Sequence, residues 1–357
     1  MSSLTALARA LDVELSRLIA QPTALARRDD GQASVLAVRD AITALEDFPG
    51  LATSEQVEDE PPVLDALGVA VRRAEAVRQG GGFAELGGLL PGLLAEARSA
   101  AREYQGDEQL RALGLLSEVF QIAATMMTAL AREDLGHLAM LHAQVAAERS
   151  GDGLLQAGNL AWLSWILFKQ GRLEEAERVA VVAAERVEPD FVRGPPRQLA
   201  VWGVLLLRAA SAAVRAGQPD RGEEQVRLAQ AAAVRLGRDV NVYATPFGPT
   251  NAAVAAVNLA VESGRFARAL QLSRLVPGDG WVTPTWRSRY LIDVAIAQSQ
   301  TRRLGQAVDS LLEAERIAPE WMRYHTLARD MVRELAEREG RRRSRVQQLA
   351  ERLHVEL

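Results

Sequence analysis

The chain reads as an all-α solenoid of antiparallel helix pairs, and three observations carry that reading. First, the stretch from Ala157 to Pro189, AGNLAWLSWILFKQGRLEEAERVAVVAAERVEP, is echoed from Ser288 to Pro319. When the turns are superposed, Leu173 falls over Leu304, Ala176 over Ala307 and Ala183 over Ala314. Second, the 357 residues are 48% hydrophobic but only 5% aromatic, an Ala, Leu and Val mixture that favours helices. Third, apolar residues recur at helical rather than strand spacing along most of the chain. A repeated helix pair cannot bury its faces alone and buries them on its neighbours, so one long array is expected rather than several separate domains.

The elements follow in order. From Leu4 to Pro22, Leu4, Leu7, Ala8 and Leu11 share one helical face and Leu15, Leu18 and Ile19 another, with the break at Asp12 and Val13. Residues 23–62 hold a helix from about Ala33 to Leu45 and an acidic, proline-ended linker, ATSEQVEDEPP. Repeats then occupy 63–340. A helix over Val63 to Gln79 stops at three glycines, and the next, Phe83 to Tyr104, is expected to kink or restart at Pro91 because proline lacks the N–H. Glu108 to Arg132 and Leu135 to Arg149 make a further pair. The turns at Gly264 to Phe266 and at Gly217 to Pro219 repeat the one at Gly171. Two connections, Glu188 to Pro196 and Arg238 to Pro249, are rich in helix breakers. Residues 341–357 form a C-terminal cap.

The repeat resembles the tetratricopeptide family, whose units place small residues where two helices cross. The resemblance implies a right-handed superhelix. Ala176, Ala183, Ala269, Ala307 and Ala314 are then structural, since a larger side chain would push the helices apart. A second resemblance lies at the N-terminus. Leu4, Leu7, Ala8, Leu11, Val13, Leu15 and Leu18 resemble the last two helices of the DNA-binding domain of xenobiotic-response-element-type regulators. Downstream segments, among them SVLAVRDAIT, LLPGLLAEAR, FGPTN, RYLIDVA and LEAERIAPE, are similar to the sensor region of actinobacterial regulators of that type. Residues 1–22 are therefore either a remnant of that domain or helices that cap the array. On the first reading, Met1 is an assigned start downstream of the true one or the product of a truncation. The helix that would read the major groove is missing from the chain as given, so it is not expected to bind DNA.

The remaining function classes narrow quickly. A formal net charge of −4 proposes neither a polyanion nor a membrane surface, and no cysteine is present for disulfides, thiolate catalysis or metal ligation. No signal-peptide core follows Met1, and the apolar runs are interrupted before membrane-spanning length, so a cytoplasmic, membrane-free protein is expected. No nucleophile elbow, P-loop or zinc-protease motif occurs, and no enzyme activity, cofactor or metal is expected. His137 and His142 are five residues apart, off a common helix face, and these with His325 and His354 read as ordinary helix positions. The basic run Arg341, Arg342, Arg343 and Arg345 reads as a solvated turn.

A binding groove remains. In the tetratricopeptide resemblance the first helix of each pair lines the concave face, which assigns Trp165, Phe168 and Lys169, then Leu207, Ser211 and Arg215, then Asn251 and Asn258, and finally Arg289. Asn offers donor and acceptor to a peptide backbone, Arg289 a fork for a carboxylate, and the aromatics a seat for an apolar group. The expected function is that of a sensor region of a transcriptional regulator, binding a peptide or small-molecule effector and answering by superhelical pitch or homodimer geometry. The alternative is a stand-alone scaffold for a protein partner.

Overall fold

The computed structural model describes residues 30–45, 61–278, 283–339 and 345–357. The proposed N-terminal remnant, the acidic linker up to its two closing prolines and Arg341 to Arg343 lie outside the described residues. Sixteen helices and one small hairpin account for the described architecture. After α1 (Asp30–Ile42) come six helix pairs: α2 (Leu64–Gly80) with α3 (Phe83–Glu103), α4 (Gly106–Ala129) with α5 (Glu133–Ser150), and α6 (Gly153–Lys169) with α7 (Leu173–Arg186). Next are α8 (Pro196–Arg215) with α9 (Pro219–Leu236), α10 (Pro249–Glu262) with α11 (Phe266–Ser273), and α12 (Pro284–Gln300) with α13 (Leu304–Ile317). The end is formed by α14 (Pro319–Tyr324), α15 (Thr326–Glu339) and α16 (Arg345–Arg352). Pro91 lies inside α3, which runs on without restarting.

One turn explains the pairing. At the end of each first helix the residues Gly81, Ala131, Gly171, Gly217, Gly264 and Arg302 all take positive φ, between 57° and 81°. In each case that residue's N–H bonds the carbonyl three back and the following N–H the carbonyl five back, as in Gly171 to Phe168 and Arg172 to Leu167. The second helix starts two residues later. The repeat therefore extends upstream to Gly81 and Ala131, where sequence similarity alone is weak. Four of the six turns use glycine, which enters this conformation without strain. Gly171→Ala is expected to lower stability by about 1 kcal/mol, whereas Arg302→Gly, which relieves a strained side chain, should raise it by up to about 1 kcal/mol. Urea midpoints of the two variants check both signs.

The five alanines named from the sequence are all buried, at 0–1% exposure, where paired helices approach. The first helices α2, α4, α6, α8, α10 and α12 pack side by side in that order, and α12 returns to touch α2. The closure continues at α14: Tyr324 meets Phe83 edge-on with ring centroids 5.8 Å apart, and the Ala84 N–H donates to Glu320 at 2.7 Å. A Cβ on Gly81 would stand 2.7 Å from that of Trp321. The first helices thus form an inner wall and their partners an outer layer.

Two inner helices, α4 and α8, are long and apolar enough by length and composition to cross a membrane, contrary to the sequence expectation. Within the fold, 78% of each apolar window is buried, because an inner helix has neighbours on most sides. The connection after α9 is not an irregular loop. It forms an antiparallel hairpin, β1 (Val240–Val242) and β2 (Thr245–Phe247), with Tyr243 and Ala244 at the turn in positive φ. Phe247, fully buried, rests on Gly203 of α8, where any Cβ would overlap its ring.

Candidate functional site

The inner wall is built from helix faces seven residues deep. Asp152 starts α6 by accepting from the Leu154 and Leu155 N–H groups, each at 2.9 Å. On the helix so fixed, Trp162, Trp165 and Lys169 follow at intervals of three and four and share one face. On α8, Arg208 and Arg215 are two turns apart on one face, about 10 Å along the axis. The two helices meet through cation–π contacts: the Arg208 guanidinium lies 4.9 Å from the Trp162 ring centroid, and that of Arg215 lies 5.1 Å from Phe168. Arg78 of α2 reaches the same Trp162 ring at 5.2 Å, while Trp165 packs edge-on against Trp162.

Charge on this wall is unevenly matched. Arg78 is held by both oxygens of Glu75 at 2.6 Å, and Arg289 of α12 pairs with buried Asp293, which also accepts from the Asn258 amide at 3.2 Å. Arg215 stands 3.9 Å from Glu262. Arg208 and Lys169 pair with no carboxylate among the described residues. Burial, then the neighbouring Arg78, lowers the Arg208 pKa to about 10, so it stays protonated at neutral pH. Lys169 is accessible to water, yet burial and the nearby Arg289 and Arg215 hold its pKa down, against an opposing pull from Glu133. An accessible ammonium crowded on several sides is what a concave surface produces. His325 stacks on Trp321 with centroids 4.3 Å apart and accepts from the Ala328 N–H through Nδ1 at 3.3 Å. Burial first, then Arg289 and Lys169, hold its pKa well below the ordinary histidine value.

The structure therefore brings together Phe168, Lys169, Arg215, Asn258 and Arg289, with Trp165 half-buried beside them. Three others assigned from the sequence are engaged elsewhere. Leu207 is packed in the core, the Ser211 hydroxyl donates to the Leu207 carbonyl of its own helix at 3.0 Å, and the Asn251 amide donates to the Pro246 carbonyl of the hairpin. Sequence reasoning passed over Arg78, Arg208 and Asp293, and read His325 as an ordinary helix position. The seven-residue interval between Arg208 and Arg215 was the available signal for one of them.

A second concavity of about 400 Å³ lies between α2, α4, α8 and the hairpin, lined by Arg72, Glu118, Arg197 and Tyr243 among others. The Tyr243 hydroxyl donates to Asp152 and accepts from Arg197 at 2.8 Å, tying the hairpin tip to the start of α6. Burial, with Asp152 behind it, raises the Tyr243 pKa. The Glu118 pKa is pushed up to about 7 by burial first, then by Glu75 and Asp152, against the opposing pull of Arg197 and Arg72.

No His, Asp or Glu cluster suited to a metal occurs among the described residues. No family model matches the chain, and no curated protein does. The fold and site define an all-α array of stacked helix pairs with a cationic, aromatic inner wall.

Proposed function

We propose that the chain is an effector-binding sensor region, a right-handed tetratricopeptide-like array that takes a peptide or small molecule on its inner wall. The observation that carries this reading is the accessible but crowded Lys169, set among Phe168, Arg215 and Arg289 from three different inner helices. Polar and aromatic groups converging on a concave face are what a ligand site requires, and here they come from rigid helices rather than loops. The return of α12 to α2 supplies a response: a ligand bridging inner helices would favour one closure of the array over another. The regulatory role rests on the sequence resemblance to actinobacterial regulators.

Native mass spectrometry of the protein purified from its own cells tests the reading by the molecule it retains. Asn258→Ala, which leaves the helix backbone alone, is expected to weaken that molecule's binding about tenfold, the loss of one or two hydrogen bonds. Unaltered affinity in a folded Asn258→Ala protein would remove this site. Retention of a stoichiometric protein instead would favour the scaffold.

A further inference from the structure

We propose that the effector is a multiply anionic molecule, with one oxyanion group seated at Arg208 and a second about 10 Å away at Lys169 and Arg215. This inference rests on the sensor reading and adds the charge of the ligand. Arg208 carries it. Its guanidinium contacts the Trp162 ring and no carboxylate among the described residues, and its Nε is buried with no acceptor. It shares the Trp162 ring with another guanidinium, Arg78, whose own charge is answered by Glu75. Unpaired arginines on the outer surface are fully solvated, but Arg208 is half-buried with its Nε shut off from water and from any acceptor, and the chain supplies no counter-charge here. One end of the strip on α8 therefore lacks an anion. At the other end, Lys169 has no carboxylate partner and the Arg215 to Glu262 pair is long at 3.9 Å. His325, kept neutral there, offers an imidazole hydrogen-bond donor beside Lys169, since its Nδ1 already accepts from Ala328. Two cationic seats two helical turns apart, each floored by an aromatic ring, fit a flexible chain bearing oxyanions at both ends.

Phosphate and carboxylate share this chemistry, so the test uses one probe of each: inorganic tetraphosphate and sebacate, with spermine as the oppositely charged control. Titration calorimetry on the full chain is expected to show one anion binding with an affinity that falls as salt rises, and no spermine binding at the same site. The preferred probe names the source. Arg208→Met should weaken the anion at least tenfold and raise the melting temperature of the ligand-free protein, because an uncompensated charge has been removed. Lys169→Met, at an accessible position where folding is not at risk, should weaken it similarly. Arg227→Met, on the exposed face of α9, should change neither quantity. Failure of both anions to bind, binding by Arg208→Met and Lys169→Met as tight as by the unaltered protein, or tighter binding of spermine overturns the proposal. A neutral retained molecule insensitive to Arg208→Met would overturn it while leaving the sensor reading intact. Anion binding that leaves hydrogen exchange across the α2 to α12 contact unchanged would keep the proposal and remove the sensor reading.

Discussion

Phe247→Ala is expected to cost about 3–4 kcal/mol of stability, the largest loss of any single change considered, and to free the hairpin from the inner wall. Phe247 is fully buried, and its ring occupies the space that a side chain on Gly203 would fill. Truncation leaves a cavity that the α8 backbone cannot collapse into, because α8 is packed by α6, α9 and α10 as well. The two strands are only three residues each, too short to persist without that anchor. Loss of the anchor should therefore also break the Tyr243 to Asp152 hydrogen bond and deprive the 400 Å³ concavity of one wall. The checks are denaturant unfolding and hydrogen exchange of residues 240–247. A loss below about 1 kcal/mol would mean that the hairpin is held by something other than this contact.

Glu118→Gln is expected to stabilise the protein by about 1–2 kcal/mol at pH 8 and to have little effect at pH 4.5, after allowance for the residue's partial contact with water. The ordinary value of 4.5 describes Glu118 in the unfolded chain, while burial, Glu75 and Asp152 bring it to about 7 in the fold. Between those values the folded state binds the extra proton. Stability from this residue is therefore undiminished below pH 4.5, falls as pH rises towards 7, and is fully lost above it. Glutamine keeps the shape and removes the titration, so the variant's stability should be flatter across that window. Thermal melts of both proteins from pH 4.5 to 8 test this, and parallel curves would show that Arg72 and Arg197 already neutralise the carboxylate.

Much of the fold was legible because its determinants are local. The Leu173 over Leu304 register, the small residues at Ala176 and Ala183, and the turn glycines each act within a few residues of themselves. The upstream pairs were harder to see. Ala131 makes the same turn as Gly171, but a non-glycine at positive φ leaves no mark in composition. The hairpin was hidden for a related reason: Val240 to Phe247 reads as a helix-breaking connection, and only the pit above Gly203 makes strand pairing there worth its entropy.

The candidate site divides similarly. The tetratricopeptide resemblance chose Phe168, Lys169, Arg215, Asn258 and Arg289, which lie near one another on the inner helices. It also chose Leu207, Ser211 and Asn251, which packing and local hydrogen bonds have claimed, because a periodic pattern names a face and not what faces it. Asn251 shows the limit: adjacent in sequence to a Gly-Pro break, it spends its amide on Pro246, a partner that exists only once the hairpin has formed.

The sequence by itself determined the helix pairs, their turns and the alanines at their crossings, since propensity, capping and periodicity operate over one or two helical turns. Only the tertiary structure decided which charges would be answered. Arg78 finds Glu75 within its own helix, whereas Arg208 has no such neighbour, and its exposure to Trp162 and Arg78 depends on three helices meeting from distant parts of the chain. Electrostatic balance is set by distance and burial in space, and neither quantity is written along the sequence.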